Sequence, residues 1–571
     1  MKTDQIKKKI RVHPRGSAFL FLVTAVVLVY GVIYPNISVV LTSFQRAGYW
    51  TLDNYRELLS QRVVIEAIVG SLGLSVGTVL LCALVGVPLA FLFERFTFPG
   101  RRLFAALAAL PLVLPPLVGT VAFIYLFGES GILAHGIQNL FGLESAPWRL
   151  RGWPALLLFH TYTMYPFFYV LTGAGLRRID ASLAEAARSL GASKLVVLRR
   201  VLLPQLTPSL LAAALLTFMT SMASFSAPLF FGGDVRVLTL EIFTARQRGE
   251  FAIAVTETVI LAVISLAALI FFQRYEGTRR FAAAAMKGAP RRRVSIASGK
   301  VRVLATIAAV VFAVALVLPV ATLLLVSFAQ EGSWTTQTLP SAYTFANYQR
   351  LFSDPFASEV FVNSLTMSAI AAVAALLWSF CVVTFLRPGR DERKLFGAGS
   401  RRLLSLLVLI PWALPGTVVA VSVAEAYGSP GSLLGSFVLV GTFWILPVVY
   451  FLRFMPLVVR ALQASMEQLD PTLEEAAGSL GARAWQRFMR VTLPLVWPGA
   501  VAGTLLAFVI ALGEYVASVL VFVPANRPIS IAIASELRDF NLGTAAAYGV
   551  VLVVIISISM VVAGRLERSR T

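Results

Sequence analysis

The chain has 571 residues, 58% hydrophobic and only 13% charged, with a mean hydropathy of +0.81; these values lie outside the range of soluble domains and describe an integral membrane protein. The formal net charge of +21 comes from Lys and Arg gathered between apolar runs, so it reads as membrane topology and requires neither nucleic acid nor an anionic substrate as partner. Strand-type alternation is absent, which excludes a β-barrel.

The opening "MKTDQIKKKIRVHPRG" precedes an apolar run, Ser17 to Phe44, that is about twice the length of a signal-peptide core and lacks a small-residue cleavage site, so it reads as a retained first helix. Runs of about 20 mostly apolar residues, the length that crosses a bilayer, then place helices near 18–44, 64–93, 103–128, 153–175, 209–232 and 252–273. A second set follows near 301–328, 360–386, 403–427, 432–452, 499–523 and 542–564. The fold class is therefore all-α, with about twelve transmembrane helices as two sets of six. With the N-terminus inside, most Lys and Arg fall in cytoplasmic segments, which puts both termini in the cytoplasm. Residues 273–300, basic and without a strong apolar period, read as a cytoplasmic linker between a first half, 1–272, and a second, 301–571.

The halves echo one another: "YPNISVVLTSF" with "LPVATLLLVSF", "TLDNYRELL" with "TFANYQRLF", and "LPLVLPPLVG" with "IPWALPGTVV". An even six-span unit that repeats enters the membrane twice from the same side, so this is a parallel repeat about an axis along the membrane normal. The longest echo lies between the fourth and fifth span of each half, hence in the cytoplasm. There "DASLAEAARSLGASKLVVLRRVLLPQLTP" (Asp180 to Pro208) returns as "DPTLEEAAGSLGARAWQRFMRVTLPLVWP" (Asp470 to Pro498). Each copy reads as two short helices. Asp180 or Asp470 caps the first, Gly191 or Gly481 stops it by taking a left-handed backbone, and Pro204 or Pro494 ends the second. A knuckle with small residues at Ala186, Ala187, Ala476 and Ala477 permits the close approach of another protein.

"EAARSLGASKLVVLRRVLLP" and "EAAGSLGARAWQRFMRVTLP" resemble the EAA loop of the membrane subunits of bacterial ABC importers. The whole chain resembles their fused, double-length permeases of the ferric-iron and thiamine type. The resemblance implies the type I importer permease fold, with loops 180–204 and 470–494 as coupling helices. Glu185, Ala186, Ala187, Gly191 and Pro204, with Glu475, Ala476, Ala477, Gly481 and Pro494, would then engage two ATPase subunits on the cytoplasmic side. It also implies an extracytoplasmic solute-binding protein, a location in the bacterial inner membrane among its lipids, and fifth spans that line the path.

The chain has no Gly-x-x-x-x-Gly-Lys-Ser/Thr phosphate loop, the nearest fragment being "ASGKVR", so ATP and Mg are expected in partner subunits and no cofactor in this one. His13, His135 and His160 lack metal-ligand spacing and read as structural or surface residues. Cys82 and Cys381 fall in apolar spans as small buried hydrophobes. No metal site and no enzymatic centre is expected. Glu66 and Glu425 read as interfacial, and Glu257 as a lesser intramembrane acid. Glu514 lies within the fifth span of the second half, and Ser224 and Phe225, moved by 290 positions, land on Glu514 and Tyr515. A carboxylate there either faces the translocation path or bonds to a neighbouring helix.

The expected function is the permease of a binding-protein-dependent importer. "SFSAPLFFGGDVRVLTLEIFTARQRGEFAIAV" and "GEYVASVLVFVPANRPISIAI" are similar to ferric-iron permeases; thiamine, polyamine, phosphonate and sugar-phosphate importers have similar membrane subunits. The rival is an ion-coupled secondary transporter using Glu257 and Glu514, which leaves the duplicated loops unexplained.

Overall fold

The computed structural model describes residues 14–46, 48–277, 294–296, 298–334, 337–386, 398–429 and 438–568; most of the linker expected at 273–300 and the start of the span expected at 432–452 lie outside them. Among the described residues ten helices are long and apolar enough to cross a membrane, or eleven if the bent pair Gly399–Ala413 and Gly416–Ala426 is one span. The shortfall from twelve lies in Gly152–Arg178, long enough at 27 residues but carrying His160, Thr161, Tyr162, Thr163 and Tyr165 in its middle. The fourth span of the second half is Ile445–Glu467, later than the expected 432–452.

Two expected spans are bent rather than straight. In place of 103–128 stand Arg101–Leu107, a tight turn at Leu110–Val113 and Pro116–Phe127. Its counterpart in the second half turns by 104° between Ala413 and Gly416. Pro115 and Pro116, like Pro415, lack the N–H a helix needs and push the preceding residue out of helical geometry.

The described residues pack as two compact units that cut across the sequence repeat. One comprises the described residues of 1–42, 359–530 and 554–571, the other those of 43–358 and 531–553. In the former, the chain's first helical run packs on second-half helices: Tyr427 Oη donates to the Tyr30 carbonyl at 2.6 Å, the Tyr34 and Tyr427 rings meet edge to face at 5.7 Å, and Gly31 lies against Leu452. In the latter, Gly299–Ser327 packs among first-half helices, with Tyr162 Oη donating to the Leu316 carbonyl at 2.8 Å and the Tyr165 and Phe312 rings 5.6 Å apart. Within that unit Arg62–Arg95 crosses Gly152–Arg178 at Gly86, where a Cβ would lie 2.6 Å from Phe168 Cβ and from the Tyr165 carbonyl. Lipid supplies no hydrophobic drive between helices, so close backbone approach at small residues does the work.

The echo "DNYRELL"/"ANYQRLF" has a physical cause. A helix end leaves carbonyls without partners, and each copy brings an asparagine to them. Asn54 Nδ2 donates to the Ser43 and Gln45 carbonyls at 3.0 Å each, and Asn347 Nδ2 to those of Ser327 and Ala329 at 2.9 and 2.8 Å. The next residue ties down the same end: the hydroxyls of Tyr55 and Ser43 meet at 2.6 Å, those of Tyr348 and Ser327 at 2.7 Å.

Each unit draws helices from both sequence halves, so halves cut between residues 277 and 298 are expected to be degraded when expressed singly and to accumulate together; immunoblots of membranes carrying each half alone and both check this. Gly86→Val forces a branched side chain into a filled crossing and should cost about 1–3 kcal/mol. Thermal melting of the detergent-solubilised protein should show it, with Gly564→Ala, where nothing lies within 4 Å, as the unaffected control.

Candidate functional site

The repeated segments fold as helical hairpins of the same internal design. Asp180 Oδ1 accepts from the Ser182 N–H at 2.9 Å and starts Ala181–Ser189; Asp470 Oδ1 accepts from the Thr472 N–H at 2.9 Å and starts Pro471–Ser479. Hydrogen bonds from the Thr472 backbone and then its side chain hold the exposed Asp470 carboxyl below its ordinary range. Both first helices stop alike. Gly191 (φ +81°) and Gly481 (φ +84°) are left-handed, the N–H of Ala192 reaches back to the Ala187 carbonyl at 3.0 Å, and that of Ala482 to Ala477 at 3.0 Å. After the turn come Lys194–Val197 or Ala484–Arg487, then one wide helical turn at Leu198–Leu202 or Phe488–Thr492. The long helices Leu203–Met222 and Leu493–Leu512 follow without a break, so Pro204 and Pro494, expected to end the second short helix, instead sit in the first turns of the helices that continue it.

From Glu185 to Ala192 the two copies differ at one position, Arg188 against Gly478. This stretch is largely exposed, including Glu185, Ala186, Glu475 and Ala476, and at its tip Leu190 and Leu480 are 88% and 89% exposed. The interiors differ in a compensated way. Ala184 is buried against Val197 and Leu202 in the first hairpin; at the same places in the second, Glu474 Oε1 accepts from the Thr492 hydroxyl at 2.7 Å. The supports have diverged while the outer face has kept all but one of its residues.

Both fifth helices end earlier than expected. The continuous spans read at 209–232 and 499–523 stop at Met222 and Leu512, and short helices resume at Ser226 and Ser518. Ser224, Phe225, Glu514 and Tyr515 therefore sit in breaks. Interrupted backbone at membrane depth persists only where its polar groups find partners, and each unit supplies them from equivalent places. Thr239 Oγ1 donates to the Ser224 carbonyl at 2.6 Å and Ser530 Oγ to the Glu514 carbonyl at 2.9 Å. The Leu238 N–H donates to Ser71 Oγ at 2.9 Å, and that of Ile529 to Ser364 Oγ at 2.7 Å. The short helices Leu238–Gln247 and Ile529–Arg538 that carry these groups have too few apolar residues to stand out in sequence.

Side chains bind each break to the fourth helix of its own half. In the first, His160 is fully buried with Nε2 2.9 Å from Ser224 Oγ and Nδ1 3.2 Å from both Thr78 Oγ1 and Ser221 Oγ. In the second, Tyr450 Oη lies 2.7 Å from Ser518 Oγ, and Glu514 Oε2 pairs with Arg453 Nε at 3.2 Å while its Oε1 accepts from the Ala517 N–H at 2.9 Å. Glu514 thus bonds to a neighbouring helix; Phe225 and Tyr515 are buried and Ser224 partly exposed. Arg453 and the hydroxyl set around His160 escape a reading of motifs, yet the offset of 290 finds them: Tyr450 stands where His160 does, and Arg453 where Thr163 does.

The other candidates stay apart. Glu66 is exposed between Arg62 and Arg236, Glu425 is partly buried, and Glu257 is buried with Oε2 unpartnered among the described residues. His135 lies 3.1 Å from the Gln337 carbonyl, and His13 falls outside the described residues. Cys82 is buried, Cys381 half-buried, and neither forms a disulfide. Among the described residues no group of three or more His, Cys, Asp or Glu could hold a metal ion.

Residues 83–280 and 394–571 each match the family model described as binding-protein-dependent transport system inner membrane component. The probable ABC transporter permease protein y4fN of Sinorhizobium fredii is 31% identical over 543 residues, 94% of either chain. Ferric transport system permease protein FbpB of Actinobacillus pleuropneumoniae is 24% identical over 552 residues, 95% of this chain and 77% of that one. A putative 2-aminoethylphosphonate transport system permease protein, PhnV of Salmonella paratyphi A, is 28% identical over 262 residues, 46% of this chain and 92% of its own. With one match in each half, the chain belongs to the binding-protein-dependent transport system inner membrane components, the multi-pass permeases of ABC importers.

Proposed function

We propose that this permease carries ferric iron, received from an extracytoplasmic binding protein, between its two halves, and that each hairpin docks on one subunit of an ATPase that binds ATP and Mg. Both termini and both hairpins are then cytoplasmic, as the Lys and Arg distribution requires. The observation that carries the docking is the outer face shared by the hairpins, Glu185 to Ala192 and Glu475 to Ala482, over interiors that differ. Exposed leucines at both tips suit a partner's apolar groove. Since this face recurs with one difference, Arg188 against Gly478, it fits two like ATPase subunits. The ion-coupled reading loses its ground to the family match.

Iron is favoured over the other cargoes because ferric permeases match along nearly the whole chain, whereas the phosphonate permease matches about half of it. The breaks at Ser224–Phe225 and Glu514–Tyr515 border the path in this reading, since irregular backbone at membrane depth is tolerated only where protein buries it or a cavity adjoins it, and Ser224 is partly exposed. Cells lacking the chain should lose uptake of radiolabelled ferric iron and keep that of 2-aminoethylphosphonate; the reverse result overturns the cargo.

Gly481→Val puts a β-branched residue at φ +84°, a strain of about 1–2 kcal/mol, and so should weaken co-purification of the ATPase about tenfold. Glu475→Gln keeps the shape and is expected to leave the ATPase bound while lowering uptake per ATP hydrolysed. Gly191→Val and Glu185→Gln should behave alike. Cross-linkers placed at Leu190 and Leu480 should capture the ATPase; capture of lipid alone refutes the docking.

A further inference from the structure

The two fifth-helix breaks are tied down by different chemistry, and only the second uses charge. Arg453 and Glu514 form a nearly enclosed ion pair, their side chains 17% and 6% exposed. Arg453 Nη1 is buried without a hydrogen-bond partner among the described residues, and its space exists because residue 416 is glycine: a Cβ there would overlap Nη1. A buried ion pair with one donor unsatisfied is a poor source of stability. The same chain shows that the site can be built without it, since the equivalent positions hold Thr163 and Ser224 beside His160.

The placement of the pair is mechanical. Arg453 lies on Ile445–Glu467, which runs into the hairpin cap Asp470; Glu514 follows Leu493–Leu512, which leaves the hairpin at Pro494. The two helices that enter and leave the second hairpin are thus clasped about 21 Å and 27 Å along their lengths from it, at 1.5 Å per residue. We propose that the Arg453–Glu514 pair is a latch that holds these helices together in the resting permease and restrains the hairpin from driving hydrolysis before cargo arrives. The inference rests on the docking proposed above. Arg453 is a positioning residue in it, acting through Glu514. Little net stability comes from the pair, but parting it would leave two buried charges uncompensated, a larger cost than parting the neutral hydrogen bonds of the first half, so the latch sits on one side.

The test copies the first half into the second, R453T/E514S, in the intact complex with its ATPase in lipid nanodiscs, and reads ATP hydrolysis with no binding protein added. Expected are a folded complex that retains its ATPase and a basal rate raised about fivefold or more, the lower end of ordinary coupling between sites. Should the double variant fail to accumulate, the near-isosteric Glu514→Gln carries the same readout, and the charge-swapped R453E/E514R should lower the rate again relative to Glu514→Gln. A folded variant with the wild-type basal rate overturns the latch and leaves the pair a packing feature. Failure of the wild-type chain to retain ATPase overturns the docking instead.

Discussion

Inside a bilayer no water is available to a peptide group, and that single constraint organises this permease. A straight helix meets it by default, so every departure from straightness has to be matched by a side chain placed elsewhere in the unit. The departures at Ser224 and Glu514 are matched by Thr239 and Ser530, and the N–H groups that open the helices carrying these hydroxyls are matched by Ser71 and Ser364. Each such match commits two helices to one another. Breaks in this protein are consequently tied into the fold, although they look like interruptions of it.

The same economy joins the break and the hairpin of one half through the helices between them. A hairpin, the helices on either side of it and the clasp that joins those helices form a closed frame in the second half. Any rotation imposed at the tip has to be accommodated by the clasp or by the helices, and helices are stiff. In the first half the frame is closed by an imidazole and hydroxyls, in the second by opposite charges. Two copies of one design have thereby kept their geometry while diverging in the chemistry that closes it.

Much of this was legible in the residues. Apolar length located most spans, and the duplicated Asp, Glu-Ala-Ala and Gly located the hairpins with their caps and left-handed stops, because these are local and carry their own residue types; Pro204 and Pro494 misled, since the helices run through them. The breaks were hidden. Residues 209–232 and 499–523 are apolar on average, and hydropathy does not register that Ser224 and Glu514 leave the helix to meet hydroxyls 15 or 16 residues further on. Gly152–Arg178 shows the opposite failure, a buried helix whose His160 and tyrosines depress its hydropathy although each finds a partner in the fold. Long-range compensation such as Arg453 with Glu514 is invisible in one half and becomes readable only when the halves are laid over each other.

The exchange of first helices also has a bearing on biogenesis. Tyr30 waits for Tyr427, 397 residues away, so at translation rates of about 5–20 residues per second the opening helix spends roughly 20–80 s in the membrane before its partner is made. During that interval its packing surface is open to lipid and to quality-control proteases. Covalent fusion of the two halves guarantees that the partner arrives on the same chain, at an effective concentration that two separately synthesised subunits would have to reach by diffusion in the bilayer.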